Sequence, residues 1–254
     1  MNSKKSYTKI LEIKNISKSF GAVVALNNVS FDLYENEIVG LVGDNGAGKT
    51  TLIKIISGVF PADSGEIRMN GKKVYFKSTL DARKAGIETV YQDLSLCDKL
   101  DVVSNLFLGR ERCRKILGID FLIEKEMEVY AANSLSKTGI DIPSLKEKVR
   151  FLSGGQRQCT AFVRATMWGS KIILLDEPYA ALGVRETAKV LKVTENLIRT
   201  NKNLSMIFIS HNLQHVFSIV DRIVVLRHGE VIGIKVKKEI NPDEIVGMIT
   251  GAIF

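Results

Sequence analysis

The sequence predicts an α/β fold: a mainly parallel sheet around a glycine-rich loop, an N-terminal antiparallel β subdomain and a helical insert. Three observations carry this. A short apolar run, Ile38–Val42, leads into the glycine-rich segment Gly43–Thr51, and apolar residues at helical spacing follow it. Unbroken apolar runs return from Lys171 and alternate with a helical pattern, as parallel strands joined by crossover helices do. Between them, from about Asp93 to Phe151, charges rise, strand patterns vanish and helical spacing dominates.

The first 35 residues read as strands, because Leu11 and Ile13 alternate with Glu12 and Lys14, and Val29, Phe31 and Leu33 with Ser30 and Asp32. Ile38–Val42 is a short buried strand. Leu52, Ile55 and Ile56 share one face of the next helix, and Gly58 stops it. Pro61–Gly65 is a turn. Glu66–Met69 and Lys73–Phe76 flank Asn70-Gly71, the dipeptide of a tight hairpin. Ser78 and Asp81 are spaced as a capping box for a short helix that Gly86 closes. After the insert, Ile172–Leu175, Met206–Ile209 and Ile223–Leu226 are apolar throughout, as strands covered on both faces are. A helix around Ala188–Thr200, with Val190, Val193, Leu197 and Ile198 on one face, joins the first two.

Gly43-Asp44-Asn45-Gly46-Ala47-Gly48-Lys49-Thr50-Thr51 fits G-x-x-x-x-G-K-[ST]. The glycines let backbone N–H groups approach an anion with no Cβ between. Lys49 brings a positive charge to β- and γ-phosphates, and the Thr50 hydroxyl is a Mg²⁺ ligand. Asp176 and Glu177 end the apolar run Ile172–Leu175. In an open parallel sheet ligands sit at the carboxyl ends of strands, so Asp176 reaches the loop's own edge, where it can hold Mg²⁺ through water. Glu177 can accept a proton from an attacking water. Ser153-Gly154-Gly155-Gln156, after Leu152, joins a good N-cap to two glycines and makes a second anion site at a helix start. One triphosphate needs one such loop, so the second cradle makes sense if it serves a nucleotide held by another copy.

The chain has 254 residues, enough for one large domain or two lobes, with a net charge of +8. Basic residues are spread along it with no basic block, which fits a solvated surface or a nearby anionic membrane better than nucleic acid. Cys97, Cys113 and Cys159 are far apart, so they read as inert, reduced thiols. No apolar run reaches the roughly 18 residues of a membrane span, and Met1–Tyr7 lacks the apolar core of a signal peptide. The expectation is a protein kept in the cytoplasm.

Taken in order, these motifs resemble an ATP-binding subunit of an ABC transporter along nearly the full length, as a single ATPase domain over 1–254 on a P-loop NTPase core, with a helical subdomain at about 93–160. The resemblance implies ATP and Mg²⁺ as ligand and cofactor. It identifies Leu152–Gln156 as the signature motif that closes over the γ-phosphate on a partner subunit, in a head-to-tail dimer enclosing two ATP molecules. Phe20 matches the aromatic that stacks on adenine, Gln92 the glutamine that senses Mg²⁺ and the membrane partner, and His211 the switch histidine at the γ-phosphate. Lys49, Glu177, His211 and Gln92 are then the catalytic set. Gly43 to Thr51, Phe20 and Ser153 to Gln156 bind nucleotide, and Thr50, Gln92 and Asp176 hold the metal.

Tyr91–Asp98, Asn105–Glu111 and Ala180–Thr187 are similar to bacterial importers of simple sugars of the ribose, xylose and fructose type. That implies a second copy of the chain in a homodimer, a membrane permease, a sugar-binding protein acting through it, and a place on the inner face of the cell membrane. The chain departs from the general pattern at Tyr179, where Thr is usual, and Gly183, where Asp is usual. The glycine is similar to the sugar-importer group; Tyr179 either tunes hydrolysis or packs. The alternative is a soluble ABC-type ATPase acting on ribosomes or DNA.

Overall fold

The computed structural model describes residues 8–179, 182–239 and 241–252. Met1–Tyr7 and Ala180–Ala181, both used above, lie outside the described residues. The chain divides into two compact units. The first takes its described residues from Met1–Thr89, Ser170–Glu177 and Ile198–Phe254, and the second from Val90–Gly169 and Pro178–Leu197.

Along the chain, β1 (Lys9–Phe20) and β2 (Val23–Tyr34) pair antiparallel with Leu11 opposite Leu33 and Ile13 opposite Phe31, all buried. β3 (Ile38–Val42) is buried at every position and leads through the glycine loop into α1 (Lys49–Ile56). β4 (Ser64–Met69) and β5 (Lys72–Val74) turn at Asn70-Gly71, both at positive φ (49° and 74°), the mirror-image turn that this dipeptide favours. β5 is shorter than its pattern predicts, with Tyr75 and Phe76 beyond its end. α2 (Thr79–Lys84) starts at Ser78, whose hydroxyl accepts from the Asp81 N–H, while the Asp81 carboxylate accepts from Lys77 rather than Ser78. β6 (Ile87–Val90) follows.

In the second unit, α3 (Val102–Phe107) precedes β7 (Cys113–Ile116) and β8 (Ile119–Leu122). Then come α4 (Glu124–Ser136) and α5 (Gly154–Thr166). Val102, Leu106, Phe107, Met127, Ala131, Leu135 and Val163 form its core. The hairpin corrects the expectation that strand patterns vanish here. Every residue of β7 and β8 is exposed, so no buried face imposes apolar alternation. Leu117 and Gly118 make its turn at φ 50° and 86°. Burial pushes the Cys159 thiol up to about 11, which keeps it protonated.

β9 (Ile172–Asp176), α6 (Val184–Thr200), β10 (Ser205–Ile209), α7 (Leu213–Ile219), β11 (Arg222–Arg227), β12 (Glu230–Val236) and α8 (Pro242–Thr250) complete the chain. The first unit's sheets are four-stranded, β2-β1-β4-β5, and six-stranded, β12-β11-β3-β10-β9-β6. β9, β10, β3 and β11 run parallel, and β12 is antiparallel to β11. β9 and β10 are buried along their whole length, as their unbroken apolar runs predict.

Tyr179 packs. Its ring is buried and its hydroxyl lies 2.9 Å from the Thr194 hydroxyl of α6. Burial raises the phenol above its ordinary range and holds it neutral. We expect Tyr179→Phe to cost about 0.5–1.5 kcal/mol of stability, the net value of one buried hydrogen bond, with ATP turnover unchanged. Thermal melting and steady-state turnover check this, and a large loss of turnover in a stable variant would assign Tyr179 to the chemistry instead.

Candidate functional site

Parallel register aligns the carboxyl ends of three strands. Ile209 of β10 lies opposite Asp176 of β9 on one side and Leu41 of β3 on the other. The loop after β3, the acids at the end of β9 and the histidine after β10 therefore lie at one edge of the sheet, as the topology of open α/β sheets requires.

The loop is pressed against its neighbours. A Cβ at Gly43 would stand 2.1 Å from the Leu226 carbonyl oxygen, and one at Gly48 would stand 2.5 Å from that of Ala25. Gly48 is also the N-cap of α1 at φ 101°, a conformation open to glycine. The Asp44 carbonyl accepts the Ala47 N–H at 3.1 Å, and its carboxylate accepts the Asn45 N–H at 2.7 Å. Asp44, Asn45 and Gly46 are exposed, Ala47 is buried, and Thr51 is half-buried. Because glycine caps α1, no side chain takes its first N–H groups, and the helix start stays open to an anion.

Lys49 is buried, and its Nζ donates to the carbonyls of Gly43 (2.8 Å) and Asp44 (2.9 Å). Burial holds its pKa below the ordinary lysine value, opposed by the charges of Glu177, Asp176 and Asp44. Burial likewise raises the Asp176 carboxyl, against a hydrogen bond with Thr50 and the charge of Lys49. Glu177 sits at φ 48°, and its N–H donates to the Ile209 carbonyl at 3.1 Å. That left-handed step costs about 1–2 kcal/mol in an L-residue and turns the chain sharply at the strand end. The Glu177 carboxylate lies 3.2 Å from His211 Nδ1. Asn212 caps α7 by accepting from the Gln214 and His215 N–H groups, which places His211 just ahead of the helix. His215 is held below the ordinary histidine value by burial and by the charge of His211.

Mg²⁺ takes one or two protein oxygens and keeps waters and substrate phosphates as its other ligands. Thr50 and Asp176, hydrogen-bonded beside the loop, are such a hard-oxygen pair, and a divalent cation would offset the cost of the buried carboxylate. Among the described residues there is no group of three or more His, Cys, Asp or Glu that could cage a metal. A cleft of about 220 Å³ adjoins the loop, its lining including Asp44, Asn45, Ser210 and His211 together with Val246 and Ile249 of α8.

The structure thus gathers Lys49, Thr50, Asp176, Glu177 and His211. Phe20, half-exposed at the end of β1, stands in its own cluster. Phe60 meets its ring edge-on at 5.4 Å, Lys18 Nζ lies 5.6 Å from its centre, and Asp63 binds both Lys18 Nζ (2.6 Å) and the Ser19 N–H (2.7 Å). No sequence motif marks Phe60, Lys18 or Asp63.

Gln92 and Ser153–Gln156 belong to the second unit. Gln92 is exposed in the turn after β6. At the start of α5, Ser153 Oγ accepts the Gln156 N–H (3.3 Å), and Gln156 Oε1 accepts the Ser153 N–H (2.9 Å). This is a full capping box. Gln156 also donates to the Asp141 carbonyl at 2.8 Å. A Cβ at Gly154 would stand 2.7 Å from Leu182, whereas one at Gly155 would make ordinary contact.

The family described as ABC transporter matches residues 26–180. This chain belongs to that family. It is therefore an ATP-binding ATPase. It is 47% identical to the xylose/arabinose import ATP-binding protein XylG of Sulfolobus acidocaldarius, over 95% of this chain and 94% of that protein. It is 44% identical to the fructose import ATP-binding protein FrcA of Rhizobium meliloti, over 96% and 94%. Its fold matches a nucleotide-free ATP-binding cassette from an ABC transporter with a TM-score of 0.79 at 25% identity, over 95% of each chain.

The raised Asp176 carboxyl has a measurable consequence for this ABC ATPase. Between its ordinary and raised values the folded chain holds that proton more tightly than the unfolded chain, so stability falls as pH rises through the window. We expect Asp176→Asn to melt above the wild type at neutral pH, with the gap closing as pH drops below the raised value. A gap independent of pH would show that the buried charge is not its source.

Proposed function

We propose that the chain binds and hydrolyses ATP to drive import of a simple sugar through a partner membrane permease, acting as a pair of copies. The observation that carries the hydrolytic part is the Glu177–His211 contact of 3.2 Å, at the edge that also holds Lys49, Thr50 and Asp176. The names and near-complete coverage of the import proteins above support the sugar and the permease, with a sugar-binding protein acting through the permease. A peripheral place on the inner face of the cell membrane belongs to the same reading; among the described residues no helix is long and apolar enough to cross a membrane.

In this reading Phe20 stacks on adenine, steadied by Phe60 and Lys18. The backbone N–H groups from Gly43 to Thr51 and the Lys49 ammonium neutralise the β- and γ-phosphates, and Lys49 exchanges loop carbonyls for phosphate oxygens. Thr50, Asp176 and Gln92 would hold Mg²⁺, which when bound neutralises charge on the transferring group. Glu177 accepts a proton as water forms its bond to the γ-phosphorus and the bond to the ADP oxygen breaks. His211 orients the Glu177 carboxylate and faces the γ-phosphate. Positioning and charge neutralisation are most of what phosphoryl transfer needs. Ser153, Gly154, Gly155 and Gln156 of a second copy close over that phosphate. ATP drives closure because it binds the closed pair better than the open one.

Lys49→Ala should weaken ATP binding at least about tenfold, since charge-assisted hydrogen bonds contribute roughly 1.5–3 kcal/mol each. Equilibrium binding of a fluorescent ATP analogue reads this, and wild-type affinity and turnover would remove the loop assignment. Glu177→Gln should keep ATP affinity and lose turnover by about 10²–10⁴-fold, the usual size of a lost general base. Light scattering of that variant should show a monomer becoming a dimer only with ATP and Mg²⁺. A persistent monomer would overturn the paired arrangement, and wild-type turnover would remove Glu177 as the base. Cells carrying only Glu177→Gln should fail to take up one labelled pentose or hexose; unchanged uptake of all of them would overturn the sugar assignment.

A further inference from the structure

Between β6 and α3 the chain runs from Tyr91 to Asp101 without helix or strand, with Gln92 exposed at its start. Leu94 and Ser95 are consecutive non-glycine residues at φ 58° and 48°, a conformation sterically disfavoured for L-residues and uncommon in succession. Local bonds account for part of this turn, since the Asp93 carboxylate accepts from the Ser95 N–H and hydroxyl. The two carbonyls are held from elsewhere. Arg164 of α5 donates to the Leu94 oxygen at 2.8 Å and the Ser95 oxygen at 2.7 Å. Its planar fork suits a pair of acceptors in a way that a lysine's point charge does not.

A second grip lies two helical turns earlier on α5, where Arg157 pairs with Asp98 at 2.7 Å. Further along the segment, fully buried Asn105 of α3 accepts from the Cys97 N–H at 2.7 Å and donates to the Cys97 carbonyl at 3.0 Å. The helix that supplies both arginines begins at Ser153, so one rigid rod carries the proposed phosphate-facing motif at its start and the clamp on the Gln92 segment along its length.

We propose that Arg164, seconded by Arg157, is a positioning residue that joins the Gln92 segment to α5 as one lever, so that displacement of Gln92 is delivered to Ser153. Arg164 touches neither nucleotide nor water in this scheme. It acts through the backbone of Leu94 and Ser95, and the inference rests on the roles given above to Gln92 and Ser153.

A double-mutant cycle on ATP turnover by the full chain tests it, with Gln92→Ala, Arg164→Ala and the pair. Arg164→Ala should lower kcat about tenfold, within the range of couplings carried by residues away from the ligands, and leave KM for ATP within about twofold. The double variant should be no slower than Gln92→Ala alone, because a clamp on a residue already removed has nothing left to position. Losses that multiply, or wild-type kcat in Arg164→Ala, would overturn the proposal. Wild-type kcat in Gln92→Ala would instead defeat the role given to Gln92, and the lever with it. Arg164→Lys guards against a variant that does not fold. It should give an intermediate kcat with unchanged melting, followed by the fluorescence of Trp168, the single tryptophan. A lower melting temperature with kcat per folded molecule intact would make Arg164 a residue of stability only and overturn the proposal.

Discussion

The in-register parallel pairing of β3, β9 and β10 is the constraint on which the candidate catalytic site depends. Hydrogen bonds between these strands decide where each one ends, and with that where Gly43, Asp176 and His211 begin. A slip of one residue along β9 would move Asp176 to the other face of the sheet. Every residue of β9 and β10 is buried, so such a slip would also draw Lys171, exposed just before β9, into the buried run and desolvate its charge. The hydrophobic content of the strands thus sets the geometry of the polar groups at their ends.

That edge concentrates costs that the rest of the unit offsets. Lys49 and Asp176 are charged and buried, Glu177 is left-handed, and Gly43 and Gly48 leave no room for a Cβ. Each is a local departure from the most stable choice, and together they occupy one loop and two strand ends. Desolvated charges of opposite sign, a helix start with no side-chain cap and a carboxylate against an imidazole form a site organised before ligand arrives.

The second unit shows a related economy. Its core is closed by α3, α4 and α5, and its polar bonds converge on the ends and one face of α5. The capping box ties the helix start, and Tyr179 is absorbed into packing through Thr194. Arg110 and Arg112 lie over Trp168 and Tyr130, bracing the chain that leads into the exposed hairpin.

The sequence by itself determined the strands, the glycine loop and the order of the polar motifs. These depend on local rules: an unbroken apolar run reports burial on both faces, Asn70-Gly71 reports a tight turn, and Gly-x-x-x-x-Gly-Lys-Thr reports a backbone that leaves its N–H groups to an anion. The β7–β8 hairpin escaped because neither face is buried, so no alternation is written into Cys113–Leu122. Only the tertiary structure decided which motifs meet. Glu177 and His211 are 34 residues apart, and Arg164 and Leu94 are 70 apart. Phe60 beside Phe20 and the left-handed turn at Leu94-Ser95 belong to the same class. Such contacts follow from strand order and helix docking, and those are fixed by burial summed over whole elements, which no short stretch of sequence encodes.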